Sequence, residues 1–203
     1  TAAAEALAGV PAGTDVLAIG PLTNVAAALT RDPSLSARIT VHFVGGNLKS
    51  RGRWPPIWPH EFNLAIDPAA ADLVLRAPVR RRLHPLDECC RLTVSGPDLL
   101  RIARGSAIGA HLAAHSLRWW MLSPLRLRAL RFPVWDLAPA LDVLGTLPAR
   151  VEERRFGLRG RGLLVRDEAA GITEVVRGID RGAALEAFER SCGHLSHGMS
   201  TTP

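Results

Sequence analysis

The chain has 203 residues, of which 47% are hydrophobic and 22% are charged. This composition is that of a globular protein, so it excludes a disordered tail, a collagen and a coiled coil. No uncharged apolar run approaches the roughly 18 residues that a membrane-spanning helix needs. We therefore expect residues 1–203 to form a single domain with no membrane partner.

The chain carries a formal net charge of +6, and Lys49 is its only lysine. An excess of arginine can attract nucleic acid electrostatically. The longest basic run, residues 80–82, has no interleaved Tyr or Phe on which bases could stack. The sequence therefore predicts no nucleic-acid partner.

Three cysteines, Cys89, Cys90 and Cys192, are an odd number and predict no disulfide framework. Free cysteines are typical of a reducing compartment, so we predict a cytoplasmic protein. Cys192, His194 and His197 are three potential metal ligands, but a single cluster near the end of the chain is a weak indication of a metal site.

The first half of the chain alternates helical and strand-like runs. The predicted order is helix 2–8, strand 15–19, helix 25–29, strand 39–44, helix 69–75 and strand 79–83. We expect Thr23 or Asn24 to cap the second helix and Asp67 to cap the third. This alternation predicts a parallel sheet with crossover helices. Ligands bind beyond the carboxyl ends of such strands, here at the turns 20–24, 45–47 and 85–87.

The second half is less regular. Its patterns predict helices over 97–104, 109–120, 136–144 and 180–192, and a β-hairpin within 152–166. No internal repeat or low-complexity linker interrupts the chain, so the sequence indicates no domain boundary.

Several segments together resemble the inosine–uridine-preferring nucleoside hydrolase family. The two most specific are Leu17-Ala-Ile-Gly-Pro-Leu-Thr-Asn-Val-Ala26 and Glu61-Phe-Asn-Leu-Ala-Ile-Asp-Pro-Ala-Ala-Ala71, about 40 residues apart. The others are Val41-His-Phe-Val-Gly-Gly46, Leu83-His-Pro-Leu-Asp87, Trp135-Asp136, Gly162-Leu-Leu-Val-Arg-Asp167 and residues 176–188.

The resemblance implies an α/β fold with an open, mostly parallel, Rossmann-like sheet and flanking helices. It also implies a C-terminal helical region with a β-hairpin. The family hydrolyses the N-glycosidic bond of ribonucleosides to ribose and free base, as glycosidases of nucleoside salvage. The reaction passes through an oxocarbenium-like transition state, which nearby carboxylates stabilise. In the family, a calcium ion orients the attacking water and holds the ribose diol.

The resemblance also implies roles for individual residues. Thr23 resembles the threonine whose carbonyl reaches calcium, and Asp136 the late calcium aspartate. Their alternatives are a helix cap and a helix N-terminal carboxylate. Glu61 and Asn63 resemble the pair that binds ribose hydroxyls, with a solvated loop as the alternative. Asp67 is interpreted as a structural cap.

Two departures concern catalysis. Trp135 stands where the family usually carries a histidine that assists the leaving base, and tryptophan can stack on a base but cannot protonate it. His60, beside Glu61, is a candidate substitute proton donor, although a polar loop residue is its alternative. The loop 51–60 also lacks the family's ribose-contacting asparagine.

The third departure is the family's Asp-x-Asp-x-x-x-Asp-Asp cluster, which this chain does not contain. The expectation is a chain that begins roughly 100 residues into the family fold, lacking the first strands and this acidic segment. Calcium takes about 6 to 8 oxygens, so the chain alone is expected to bind it poorly and to turn over little. An enzyme cut short is therefore one hypothesis. A catalytically degenerate protein that binds a nucleoside or a partner is the other, and a homo-oligomer is left open for both.

Overall fold

The computed structural model describes residues 1–48, 62–122, 131–160 and 163–198, with side chains up to residue 192. The chain divides into two compact units, each built from two stretches of sequence. Unit 1 comprises Thr1–Cys89 and Ala149–Gly178, and unit 2 comprises Cys90–Pro148 and Ile179–Pro203.

Unit 1 contains most of the strands. In chain order its elements are α1 (Ala2–Ala8), β1 (Thr14–Ala18), α2 (Thr23–Arg31), a 3₁₀ turn (Pro33–Ala37), β2 (Ile39–Val44), α3 (Phe62–Ile66), α4 (Pro68–Arg76), β3 (Arg80–His84), α5 (Leu86–Cys89), β6 (Arg150–Arg159), β7 (Leu163–Arg166) and β8 (Ile172–Arg177). The strands form one sheet in the order β1-β2-β3-β8-β6-β7.

The sheet is mostly parallel. β1, β2, β3 and β8 run parallel, and β6 pairs antiparallel with both β8 and β7. The expected α/β fold with a mostly parallel sheet is therefore confirmed. β8 was missing from the predicted elements, and it adds a fourth parallel strand beside β3.

The core of unit 1 lies between this sheet and helices α2 and α4. β2 supplies the buried side chains of Val41 and Phe43, and the β-branched, apolar run 39–44 suits a strand inside a parallel sheet. Leu29 and Val74, from the apolar faces of α2 and α4, belong to the same cluster. Helices α2 and α4 thus pack on the sheet. The turns predicted to bind a ligand follow the strands of this sheet.

The buried side chain of Arg81 connects α4 to β8 through hydrogen bonds. The Arg81 Nη1 donates to the Val74 carbonyl and, at 2.7 Å, to the Ala77 carbonyl. Its Nε donates to the Ile172 carbonyl at 3.2 Å and to the Thr173 hydroxyl at 3.1 Å. Burial lowers the pKa of Arg81 to about 10, so the side chain stays protonated at neutral pH. Arg81 thereby ties the end of α4 to the start of β8.

Unit 2 is mainly helical. Its elements are β4 (Thr93–Ser95), α6 (Gly96–Gly105), α7 (Ala107–Leu122), β5 (Arg131–Pro133), α8 (Leu137–Val143) and α9 (Arg181–Gly198). β4 and β5 pair antiparallel. A small core gathers Val94, Leu99, Ala113, Phe132 and Leu185. No helix of the described residues is long and apolar enough to cross a membrane.

Capping contacts fix the start of α6. The Ser95 hydroxyl accepts from the Asp98 amide, and the Asp98 carboxylate accepts from the Ser95 amide, which completes a capping box. Arg181 also donates to the Asp98 carboxylate, and this contact joins α9 to the same corner. Although burial opposes it, these hydrogen bonds and the charges of Arg181 and Arg101 hold the pKa of Asp98 below its ordinary value.

The helix starts test the predicted caps. Asp67 caps α4 as expected, since its carboxylate accepts from the Ala70 amide at 3.0 Å. The capping prediction for α2 was wrong, because α2 begins after Leu22 and has no side-chain cap. Thr23 is instead the first helical residue, and its hydroxyl is used in a long-range contact.

Candidate functional site

The carboxyl ends of β1 and β2 are joined by the side chain of Asn63. Asn63 lies in α3, and its Nδ2 donates to the Val44 carbonyl at 3.1 Å and to the Ile19 carbonyl at 3.4 Å. The residue is half-buried. Asn63 therefore lies at the edge of the sheet where ligands of open α/β proteins bind.

Thr23 follows the turn after β1 and is the first residue of α2. Its hydroxyl donates to Asp67 Oδ2 at 2.6 Å. The Thr23 hydroxyl, together with the Ala70 amide, holds the pKa of the Asp67 carboxyl below its ordinary value. This contact joins the first residue of α2 to the cap of α4, and it fixes the helix start whose carbonyl the resemblance assigns to a metal.

The turn after β2 packs tightly. Gly46 has φ +64°, and a Cβ at this position would lie 2.2 Å from Leu164 Cδ1 and 2.8 Å from its Cγ. The Gly46 carbonyl accepts from the Leu86 amide at 2.9 Å, which ties this turn to the end of β3. Asp87 in turn accepts from the Leu48 amide at 3.2 Å. Only glycine satisfies both the positive φ and the close contact.

The polar contacts of the buried His42 were missed by sequence reasoning. The His42 Nε2 lies 3.1 Å from Asp15 Oδ1, and the His42 and His84 rings stack with centroids 6.1 Å apart. Both histidines are buried. The available signal was a histidine within the predicted strand 39–44 and another directly after the predicted strand 79–83. In the sheet the two share one face, because His84 pairs with Val44, two residues after His42.

In unit 2, Trp135 and Asp136 precede α8. The Trp135 Nε1 lies 3.3 Å from Cys90 Sγ and donates to it. Asp136 stands at the N-cap position of α8, but its side chain makes no capping hydrogen bond. Surrounding protein atoms remove part of the water around the Asp136 carboxyl and raise its pKa above the ordinary value.

The remaining predicted residues, His60 and Glu61, lie outside the described residues. The structure thus brings Thr23 and Asn63 to the strand ends of unit 1, and it places Trp135 and Asp136 together in unit 2. The proposed roles of all six residues stay predictions.

A cavity of about 520 Å³ also lies in unit 1. Its lining combines acidic, basic and apolar side chains, mostly from the segment that contains β6, β7 and β8, and includes the ion pairs Arg154–Glu152 and Arg166–Glu168. None of the predicted site residues lines it. We therefore assign the candidate site to the strand ends rather than to this cavity.

Comparison with known proteins decides the family. The family model described as inosine-uridine preferring nucleoside hydrolase matches residues 1–181. The chain belongs to this nucleoside hydrolase family. The earlier resemblance, drawn from the strand-end segments, is confirmed.

Individual relatives agree with this membership. The chain is similar to a non-specific ribonucleoside hydrolase of Escherichia coli, with 31% identity over 143 residues that cover 69% of this chain and 46% of the relative. It is also similar to a pyrimidine-specific ribonucleoside hydrolase of Shewanella woodyi, with 36% identity over 83 residues that cover 41% and 26%. The chain thus spans at most about half the length of these curated relatives.

Solved structures share the fold. A plant nucleoside hydrolase aligns with a TM-score of 0.80 at 19% identity, covering 95% of this chain and 65% of that one. The nucleoside hydrolase of Bacillus anthracis aligns with a TM-score of 0.72 at 20% identity, covering 94% and 63%. At these identities the alignments establish the nucleoside hydrolase fold for the chain.

The donor set of the described residues does not fit a complete calcium site. Calcium takes about 6 to 8 oxygens, whereas the resemblance assigns only the Thr23 carbonyl and the Asp136 carboxylate to it. Of the carboxylates near the carboxyl ends of the strands of unit 1, Asp67 accepts from the Thr23 hydroxyl and Asp87 accepts from the Leu48 amide. We therefore derive no catalytic step through a metal.

Proposed function

We propose that this protein hydrolyses the N-glycosidic bond of ribonucleosides and releases ribose and free base. The observation that carries the proposal is the family match over residues 1–181, combined with a sheet edge at which Asn63 and the Thr23–Asp67 pair meet. The proposed substrate is a ribonucleoside. A single domain over 1–203, a cytoplasmic location, a role in salvage and a homo-oligomer stay predictions.

Within this proposal, Asn63 and Glu61 bind the ribose hydroxyls. The two carbonyls that accept from Asn63 Nδ2 restrict the rotation of its side chain before any sugar arrives. A restricted amide loses little conformational entropy when it binds a hydroxyl, and it holds the anomeric carbon in a defined position. Oxygen donors around the sugar then stabilise the positive charge that develops in the transition state.

Trp135 and His60 are proposed to act at the leaving base. The hydrogen bond from Trp135 Nε1 to Cys90 Sγ orients the indole ring, and an oriented ring can stack on a base. An indole cannot supply a proton at neutral pH, so protonation of the leaving base is assigned to His60. Calcium is proposed as the metal of the whole site. By the family resemblance, Thr23 and Asp136 are assigned a minority of its ligands.

A second candidate function is nucleoside binding without catalysis. The observation that favours it is the same donor set, in which Asp67 and Asp87 near the carboxyl ends of the strands already accept hydrogen bonds from Thr23 and from the Leu48 amide. Upstream coding DNA that carries Asp-x-Asp-x-x-x-Asp-Asp in frame supports the enzyme. A start codon near Thr1 supports the binding protein.

Turnover of inosine and uridine tests the proposal, with released ribose measured by a reducing-sugar assay. We expect little turnover from the 203-residue chain and calcium-dependent turnover once any upstream coding segment is restored. In the restored protein, Glu61→Ala or Asn63→Ala is expected to lower kcat/KM by about 100-fold or more, with an unchanged circular dichroism spectrum.

Asp72→Ala provides the matched control, because Asp72 lies on α4 and pairs with Arg76 at the surface. Its turnover is expected to equal that of the parent. Turnover by Asn63→Ala equal to the parent's would reject the assignment of the ribose site. Tight nucleoside binding with no turnover in the restored protein would establish the second candidate.

A further inference from the structure

Two exposed histidines lie one turn apart on helix α7 of unit 2. His111 and His115 are separated by four residues, and their imidazole ring centroids are 4.3 Å apart. With 3.6 residues per turn, residues at i and i+4 differ by only about 40° around a helix. Both rings therefore stand on the same helix face, and the solvent reaches them.

The backbone that carries the pair is held in place. At Gly109, two residues before His111, a Cβ would lie 2.2 Å from the Ile102 carbonyl oxygen, so α7 touches α6 there. Beyond His115, Trp119 and Trp120 pack on Phe132, with ring centroids 5.5 and 5.9 Å apart. These contacts fix the backbone of α7 on both sides of the pair. Binding of an ion to the two imidazoles therefore costs little further backbone conformational entropy.

Paired imidazoles at this spacing select a particular class of ion. Neutral imidazole nitrogen is a good ligand for Ni²⁺, Cu²⁺ and Zn²⁺, whereas Ca²⁺ and Mg²⁺ require oxygen ligands. Two histidines at i and i+4 on one helix face are also the spacing with which zinc metalloproteases hold their metal. This chemistry differs from that of the proposed calcium site.

We propose that His111 and His115 form a bidentate binding site for a divalent transition-metal ion, with water in its other coordination positions. Both side chains are exposed, so their rings are free of packing that would stop them turning toward one ion. It stands independently of the nucleoside hydrolase activity, since neither histidine belongs to the candidate active site. Bound metal would also join two successive turns of α7.

Calorimetric titration of the 203-residue chain with Ni²⁺ tests the site. Every variant carries His194→Ala and His197→Ala, so that these C-terminal histidines do not contribute. We expect one Ni²⁺ per chain. Removing a residue that hydrogen-bonds to a metal ligand lowers metal affinity by about 10- to 100-fold, and removing a ligand itself should lower it at least as much. His111→Ala or His115→Ala should therefore each weaken Ni²⁺ binding by about 10- to 100-fold.

The matched control keeps the number of histidines and changes only their spacing. The double variant His115→Ala/Ser116→His places the second imidazole about 140° from the first around the helix. It should bind Ni²⁺ as weakly as His115→Ala. Circular dichroism of each variant checks that the helices are retained.

A residue-resolved readout completes the test. Paramagnetic Ni²⁺ at low occupancy should broaden the imidazole NMR signals of His111 and His115 before those of the other histidines. Ni²⁺ affinity unchanged in both single variants would overturn the proposal, as would first broadening at another histidine. Competition by Ca²⁺ at equal concentration would overturn it as well, because it would indicate oxygen ligands.

Discussion

The turns after β1 and β2 in unit 1 and the segment before α8 in unit 2 hold their polar side chains in different ways. In unit 1, Asn63, Thr23 and Asp67 each make hydrogen bonds to groups more than one helix turn away in the chain or to helix amides. In unit 2, Asp136 stands at a helix start without a capping hydrogen bond, and desolvation raises its pKa. Hydrogen bonds within the protein thus fix the polar side chains of unit 1, whereas desolvation of the Asp136 carboxylate in unit 2 opposes its ionisation.

This difference separates two kinds of contribution to a site. Groups that already have partners define geometry, and replacing them is expected to cost stability. A desolvated carboxylate without a capping partner costs stability in its charged form, so replacing it is expected to be neutral or favourable for folding. The free energies of unfolding of matched variants therefore test whether the two regions differ in this way.

The largest effect is expected at the turn after β2. Gly46→Ala places a Cβ against Leu164 and forces a positive φ on a residue with a side chain. The backbone costs about 1–2 kcal/mol and the overpacking about 1–3 kcal/mol, so urea denaturation should show a loss of about 2–5 kcal/mol. Gly20→Ala is the control, because no atom lies within 4 Å of its Cβ position. Equal losses in both variants would contradict the tight turn.

An intermediate effect is expected at the contact between α2 and α4. Thr23→Val keeps the shape of the side chain and removes the hydroxyl that donates to Asp67. Loss of this hydrogen bond should lower the free energy of unfolding by about 1 kcal/mol at neutral pH. Thr30→Val is the control, because it removes a hydroxyl on the same helix that donates to the Ala26 carbonyl. This variant should leave the pKa of Asp67 unchanged.

The same contact gives a pH dependence. The pKa of Asp67 is lower in the folded chain than its ordinary value, so its contribution to stability is present above the ordinary pKa of 3.8 and is lost as the pH falls through the folded value. In Thr23→Val the pKa of Asp67, measured by NMR titration, should rise toward 3.8. A pKa that does not move would show that the hydroxyl is not its main cause.

The smallest effect is expected at Asp136. Its pKa is raised on folding, so the stability penalty appears as the pH rises above the ordinary value of 3.8 and the carboxyl ionises. Asp136→Asn should therefore change the free energy of unfolding at pH 7 by no more than about 0.5 kcal/mol, in the stabilising direction. Asp180→Ala is the contrasting variant, because Asp180 accepts from the Ala183 amide at 3.0 Å at the start of α9. It should lose about 1 kcal/mol. A clear loss in Asp136→Asn would contradict the contrast.

Local patterns predicted the elements that local forces determine. The run 39–44 predicted β2 to the residue, because consecutive β-branched and apolar side chains suit a buried strand. Asp67 before Pro68 predicted the start of α4, since a carboxylate cap and a proline at the first helical position act within one turn.

Features that depend on distant residues were not predictable in this way. The hydroxyl of Thr23 bonds a carboxylate 44 positions away, and this contact replaces the cap that its local sequence favours. The run 172–177 became β8 by pairing with β3, about 90 residues earlier. The His42–Asp15 pair likewise depends on the register between β1 and β2, which no single window of sequence contains.

The discontinuity of unit 1 has a consequence for biosynthesis. β3 leaves the ribosome long before β8, and the whole first stretch of unit 2 is made in between. Until residues 172–177 emerge, one side of β3 has no strand beside it and Arg81 lacks its acceptors at Ile172 and Thr173. Ribosome-bound nascent chains stalled before residue 172 are therefore expected to carry β3 without its partner β8, so unit 1 can complete its sheet only after residues 172–177 have been made.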